Sequence, residues 1–164
     1  MSDHQYNVTI RWTGNNGSGT SDYTSYSRNH DVVISGKPVL SASSDTIFRG
    51  EGSRHNPEDM LVASLSSCHM LWYLHLCADA GVIVTDYSDD ATGTLQLSQE
   101  EPGRFTQVML RPNVRVKEPE MIPLAQSLHD EAHGKCFIAN SCNFPVLHQP
   151  ICTSDEPEEK EAEL

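Results

Sequence analysis

The alternation of apolar and polar residues predicts a series of short strands. Tyr6–Trp12 alternates with a period of two, which is typical of a half-buried strand. The Asn-Gly turn at Asn16 and Gly17 favours a hairpin, with Thr20–Ser27 as the returning strand. Similar patterns predict strands over residues 31–34, 82–85, 92–97, 104–116 and 143–151. The last contains two prolines and is expected at a sheet edge.

Two longer segments predict helices. Pro57–Ala80 begins after a good N-cap, Asn56, and ends before Gly81, a natural C-cap. Its middle is apolar or small nearly all round, so we expect burial on most sides by a sheet, another helix or a second subunit. Glu118–His133 is the second predicted helix. The predicted order is strands, a long helix, strands, a second helix and a last strand. This order indicates an α+β fold.

Length and charge refine this picture. The 164 residues suit one domain, predicted over residues 1–154. Eleven Lys and Arg against 23 Asp and Glu give a net charge of -12, which argues against nucleic-acid or anionic-membrane binding. Residues 155–164 contain six acids and one Lys, and we expect this tail to be solvated and disordered. Without the tail, the charge of the domain is about -7.

The cysteine count and the N-terminal sequence predict a cytoplasmic protein with free thiols. No N-terminal segment combines basic residues, an apolar run and a cleavage site. The longest apolar stretch, Met60–Val82, is interrupted by Ser, His and Asp, so we expect no membrane span. The five cysteines are odd in number and include no CxxC pair. A disulfide framework, a zinc ribbon and a thioredoxin-type motif are therefore not expected.

Cys68 is a candidate nucleophile inside the first helix. Helical spacing places it on one stripe with Leu61, Ser64, Leu65, Leu71, Trp72 and His75. From the residue types alone, a small buried apolar role is the favoured interpretation of this cysteine. His69 points roughly 100° away from Cys68, so its adjacency does not make it a base.

Cys136 follows the second helix, next to Lys135, which would favour a thiolate if the two groups are close. Two cysteines near helix segments suit an attacking and a resolving thiol. Cys77, Cys142 and Cys152 lack such surroundings and are interpreted as packing residues.

His129 and His133, four residues apart, could bind a metal with Cys136 as third ligand. An exposed helix face of mixed charge is the favoured alternative for these histidines. Glu58 precedes Cys68 by ten residues, which is about 15 Å of helix, so the two side chains cannot touch along one straight helix. Glu58 either complements the helix dipole or acts through an intermediary or another subunit.

Two motifs resemble those of the OsmC/Ohr family of thiol-dependent peroxidases. The first is Asn56-Pro57-Glu58-Asp59-Met60-Leu61, with Cys68 ten residues after the Glu. The second is Ala132-His133-Gly134-Lys135-Cys136, and the resemblance extends from Tyr6 to Ile151. It implies antiparallel sheets packed on two long helices and an intertwined homodimer with two active sites at the subunit interface.

The resemblance also implies roles for individual residues. Cys68 would attack the peroxide, Cys136 would resolve it, and Glu58 would orient an arginine near the first thiol. The reductant would be a dithiol, often a lipoylated protein, and neither a cofactor nor a metal is expected. The apolar residues Leu61, Leu71 and Trp72 would favour bulky organic hydroperoxides.

Two features depart from the family pattern. The loop after the first strand, residues 13–19, has no arginine. Arg28 is predicted to replace it, with Arg49 and Arg54 as alternatives, and His69 stands where Phe is commoner. These departures leave open a non-catalytic dimer that binds an apolar ligand.

Overall fold

The structure is a computed structural model that describes residues 1–155. The chain divides into two compact units, Met1–Leu61 and the residues from Val62 onward. Helix α1, Pro57–Asp79, begins in the first unit and continues in the second. Of the predicted acidic tail, residues 156–164 lie outside the described residues. The N–H of Asp155 donates to the Val116 carbonyl at 2.9 Å, so the tail's first residue is bound to the domain.

The first unit contains one antiparallel sheet in the order β1-β2-β3. Its strands are β1 (Thr9–Trp12), β2 (His30–Val33) and β3 (Leu40–Ala42). The predicted strand Thr20–Ser27 is wrong, because short polar side chains bind the local backbone there and stabilise turns instead. Asn15 accepts from the N–H of Gly17 at 2.9 Å, and Asp22 accepts from that of Thr24 at 2.8 Å.

The second unit contains two three-stranded sheets. Its strands are β4 (Val84–Asp89), β5 (Thr92–Gln96), β6 (Arg104–Leu110), β7 (Pro112–Val116), β8 (Val146–His148) and β9 (Ile151–Ser154). The sheet orders are β4-β7-β9 and β5-β6-β8. β8 pairs in parallel with β6, and β9 pairs in parallel with β7. Each is the edge strand of its sheet, which confirms the edge position predicted from the prolines. Both predicted long strands are divided, at Arg111 and at Gln149-Pro150, so each supplies one strand to each sheet.

The ends of α1 are those predicted from its caps. The Asn56 side chain accepts from the N–H of Asp59 at 2.8 Å, and Gly81 has the positive φ of a C-cap, 75°. Within this chain α1 buries one stripe at four-residue spacing, composed of Leu65, His69, Tyr73 and Cys77. Burial on most sides is therefore not provided by this chain alone.

By length and composition α1 could cross a membrane, but the core helix of a soluble protein passes the same test. Its buried Tyr73 and Cys77 belong to the hydrophobic core of the second unit, which also contains Val82, Val114, Val116, Ala125, Leu128 and Ala132.

Helix α2, Ile122–Lys135, follows a short 3-10 helix, Pro119–Met121. It runs through Gly134 and ends at Lys135, and its C-cap residue, Cys136, has an extended backbone. The α+β class is confirmed, and the end of α2 carries the second candidate thiol.

Candidate active site

The two candidate thiols are neighbours in the second unit. Cys68 lies in the middle of α1 and Cys136 caps α2, close enough for the thiol of Cys68 to affect the pKa of Cys136. All five cysteines lie within the described residues and are free thiols. Cys68 is half-buried, whereas Cys136 is 1% exposed. A small reagent therefore reaches Cys68 first.

The surroundings of Cys136 keep its thiol protonated. Burial is the main cause that raises the pKa of Cys136 to about 11, and the thiol of Cys68 acts in the same direction. The N–H of Ala139 donates to the sulfur at 3.4 Å, which opposes this rise without cancelling it. Lys135, expected to favour a thiolate if it lay close, does not prevent this rise in the pKa of Cys136. Its ammonium pairs with Glu131 at 3.5 Å and lies over the Trp72 ring at 5.6 Å.

Aromatic and aliphatic side chains surround the end of α2. The rings of Trp72 and Phe137 meet edge to face with centroids 5.5 Å apart. Trp72 also lines an open pocket of about 240 Å³ together with Leu71 and His75. Phe137 is 67% exposed and Leu71 is 63% exposed, so this apolar surface is open in the single chain. The structure thus places two of the three predicted substrate-binding residues, Leu71 and Trp72, at one pocket.

Leu61 and the two predicted partners of the thiol, Glu58 and Arg28, belong to the first unit. One carboxylate oxygen of Glu58, Oε2, is buried without a hydrogen-bond partner among residues 1–155. An unpaired buried carboxylate oxygen calls for a donor, which agrees with the role implied for Glu58. The roles of all three residues remain predictions.

Arg28 is held by its own loop. Its guanidinium donates to the carbonyls of Tyr26 at 2.8 Å and Tyr23 at 2.7 Å. It also lies 4.1 Å and 4.4 Å from the centroids of the same two rings, so its position is fixed by cation–π contacts as well. Of the two alternatives, Arg54 pairs with Glu51 at 3.1 Å and Arg49 has a left-handed backbone, φ 66°.

A buried pair of imidazoles, which the sequence pattern does not reveal, joins α1 to α2. His69 Nε2 and His129 Nδ1 are 3.0 Å apart, and the two side chains are 1% and 0% exposed. Burial lowers the pKa of His69 to about 4 and that of His129 to about 3, and nearby imidazoles contribute. The exposed, mixed-charge face predicted for His129 is therefore wrong.

Other polar and aromatic groups contact this pair. The Tyr73 ring stacks on His129 with centroids 3.8 Å apart, and the Cys152 sulfur is 3.9 Å from His129 Nε2. Toward the surface, His148 contacts Asp130 at 2.9 Å. Burial also lowers the pKa of His133, whose ring centroid is 5.3 Å from that of His148. Cys152, predicted as a packing residue, packs against the hydrophobic core and also contacts His129 and the Tyr73 hydroxyl.

The metal site considered for His129, His133 and Cys136 is not formed. In the part of the chain that the structure describes, no group of three or more His, Cys, Asp or Glu side chains could hold a metal ion. His129 is instead bound to His69, and Cys136 lies against Cys68.

Comparisons with known proteins agree with this arrangement. The family model for OsmC-like proteins matches residues 50–148, a range that includes Glu58, Cys68 and Cys136. The chain belongs to the OsmC-like family. A solved OsmC-like protein of unknown function from Vibrio cholerae is similar, with a TM-score of 0.81 and 30% identity. The match covers 91% of this chain and 100% of that one.

Two more distant matches are one of sequence and one of fold. The uncharacterized protein YmaD of Bacillus subtilis is 24% identical over 147 residues, 86% of this chain and 88% of that protein. An organic hydroperoxide resistance protein OsmC from Legionella pneumophila superposes with a TM-score of 0.65 at 16% identity, over 93% of this chain and 99% of that one. At such low identity, this last likeness concerns the fold.

Proposed function

We propose that this OsmC-like protein is a thiol-dependent peroxidase that reduces organic hydroperoxides to alcohols. The observation that carries the proposal is the meeting of Cys68 and Cys136 between α1 and the end of α2. The Legionella protein of the same fold, an organic hydroperoxide resistance protein, supports the substrate class.

The unequal surroundings of the two sulfurs support their roles. The half-buried Cys68 is the accessible nucleophile. Its thiolate attacks the distal oxygen of the hydroperoxide, the O–O bond breaks, and the alkoxide takes a proton from solvent to leave as the alcohol. Cys68 becomes a sulfenic acid. Because Cys136 is 1% exposed and its pKa is raised to about 11, it stays protonated and survives the peroxide.

Resolution then needs no outside oxidant. The Cys136 sulfur attacks the Cys68 sulfur, the S–O bond breaks, and the hydroxide leaves as water with the thiol's proton. An external dithiol, such as a lipoylated protein of the reducing cytoplasm, returns the disulfide to two thiols by exchange. We further propose that, in the working enzyme, Arg28 exchanges its loop contacts for Glu58, which orients it toward Cys68, and that Leu61 lines the substrate pocket with Leu71 and Trp72.

We also propose that the working form is a homodimer. Within one chain, α1 leaves Leu71 63% exposed, and Phe137 beside it is 67% exposed. Large apolar side chains on one open surface indicate an interaction site. A second subunit at this surface would cover the faces of α1 that the chain itself leaves open.

Steady-state turnover tests the proposal. With dihydrolipoamide as reductant, the wild type should consume cumene hydroperoxide, Cys68→Ser should not, and Cys136→Ser should lose the intramolecular disulfide. Cys142→Ser is the matched control, because Cys142 is a free thiol that bonds the Ile138 carbonyl at 3.3 Å. Full turnover by Cys68→Ser would refute the mechanism. A wild type that binds cumene hydroperoxide or its alcohol without consuming peroxide would favour the non-catalytic binding protein.

A further inference from the structure

We propose that His69 and His129 are a positioning pair for the two thiols: their hydrogen bond holds α1 and α2 at the spacing at which Cys68 meets Cys136. The inference rests on the proposed function, because it concerns the same pair of thiols. It adds two residues whose side chains the proposed reaction does not use.

The placement of the pair along the two helices carries the argument. His69 directly follows Cys68 on α1, and His129 precedes Cys136 by seven residues, which is two turns of α2. The bond of 3.0 Å from His69 Nε2 to His129 Nδ1 therefore joins the two helix segments that carry the thiols. A change in helix spacing at this level moves the sulfurs as well.

The bond has little freedom to lengthen. The Tyr73 ring stacks on the His129 ring with centroids 3.8 Å apart, and the Cys152 sulfur lies 3.9 Å from His129 Nε2. Both imidazoles are shielded from water, so a broken bond would leave two buried nitrogens unpaired, which is unfavourable. His69 Nδ1 already has no partner within residues 1–155, which makes its other nitrogen the one that fixes the ring.

Disulfide formation is sensitive to this spacing. A disulfide requires Cα atoms roughly 4.4 to 6.8 Å apart, so a small shift between helices lowers the effective concentration of one thiol at the other. The alternative is a network that only stabilises the fold. The two possibilities differ in one measurable quantity, the equilibrium constant of the Cys68–Cys136 disulfide.

The test measures that constant in glutathione redox buffers at neutral pH, by alkylation and peptide mass spectrometry. His129→Leu removes the bond, whereas His129→Asn keeps an amide group where Nδ1 stood. Leu128→Ala is the matched control, because Leu128 is a core residue of the same helix that has no part in the proposed reaction.

We expect His129→Leu to lower the constant about tenfold or more, which is about 30 mV for this two-electron couple. The disulfide constants of His129→Asn and Leu128→Ala should stay within about threefold of the wild-type value. This should hold even if Leu128→Ala lowers the melting temperature more than His129→Leu does. The proposal is overturned if His129→Leu changes the constant no more than Leu128→Ala does. It is also overturned if His129→Asn lowers the disulfide equilibrium constant as much as His129→Leu does.

A second measurement needs no variant, in case His129→Leu does not fold. Titration of the histidine rings by NMR, in reduced protein and in protein oxidised with diamide, reports the reverse coupling. Since protonation breaks the bond between the rings, the oxidised form should hold the neutral pair more tightly and protonate at lower pH. The groups that face the pair are Tyr73, Asp130, His133, His148 and Cys152.

Identical titration curves in the two forms would refute the coupling. Neither measurement uses a peroxide. A protein that fails to reduce peroxides while these results hold would therefore overturn the proposed function alone.

Discussion

Replacing the two buried imidazoles with amides should make the fold less sensitive to acid. The change is the double variant His69→Gln with His129→Asn, whose side chains do not titrate. In the wild type the folded-state pKa values, about 4 for His69 and about 3 for His129, lie below the ordinary value of 6.5. Both imidazoles therefore stay neutral in the fold while the unfolded chain takes up protons.

The sign and size of the effect follow from this difference. A lowered folded-state pKa gives stability that is fully present above pH 6.5 and lost as the pH falls toward 4 and then 3. Each histidine contributes a slope of about 1.4 kcal/mol per pH unit in the free energy of unfolding. From pH 6.5 to 4.5 the wild type should therefore lose about 5 kcal/mol through this pair.

Urea unfolding followed by circular dichroism, at one fixed protein concentration, measures the free energy of unfolding at each pH. The double variant should lose about 5 kcal/mol less than the wild type between pH 6.5 and 4.5, whatever its stability at neutral pH. His75→Gln is the matched control, because this side chain lies on the exposed face of α1. Parallel curves for the wild type and the double variant would refute the burial argument.

Three further experiments test other parts of the structure. At pH 8, iodoacetamide should label Cys68 well before Cys136, which is 1% exposed with a raised pKa of about 11; equal rates in peptide mass spectra would contradict this. Trp72→Ala should lower kcat/KM for cumene hydroperoxide about tenfold but leave that for hydrogen peroxide nearly unchanged, because it removes apolar contact area. Equal losses would exclude an apolar substrate pocket. Asp89→Ala should lower the free energy of unfolding by about 2 to 3 kcal/mol in urea, because Asp89 accepts two hydrogen bonds of 2.6 Å, one from a serine of α1. The control is Asp90→Ala, at the exposed neighbouring residue, which should lower the free energy of unfolding by less than about 0.5 kcal/mol.

Local signals predicted much of the fold. The limits of α1 follow from Asn56 and Gly81, whose side-chain and backbone preferences act within one turn. The edge position of the last strands follows from prolines that lack the N–H an inner strand would need. The two family motifs singled out Cys68 and Cys136 as the candidate thiols, and in the structure the thiol of Cys68 contributes to the raised pKa of Cys136.

Features that depend on distant partners were not predicted. His129 resembles an exposed helix residue because its partner, His69, lies on another helix 60 residues earlier in the chain. The division of strand 104–116 at Arg111 was also missed, because the alternating pattern continues across the point where the chain changes sheets. Pairing of strands, unlike helix capping, is decided by tertiary contacts.

The most direct test of the central claim is a single turnover. Reduced wild-type protein receives one equivalent of cumene hydroperoxide, and its peptides are analysed by mass spectrometry after alkylation. The account predicts a Cys68–Cys136 disulfide in the wild type and, in Cys136→Ser, a sulfenic acid on Cys68 that dimedone traps. Unmodified Cys68 with the peroxide intact, or oxidation confined to the other cysteines, would contradict it.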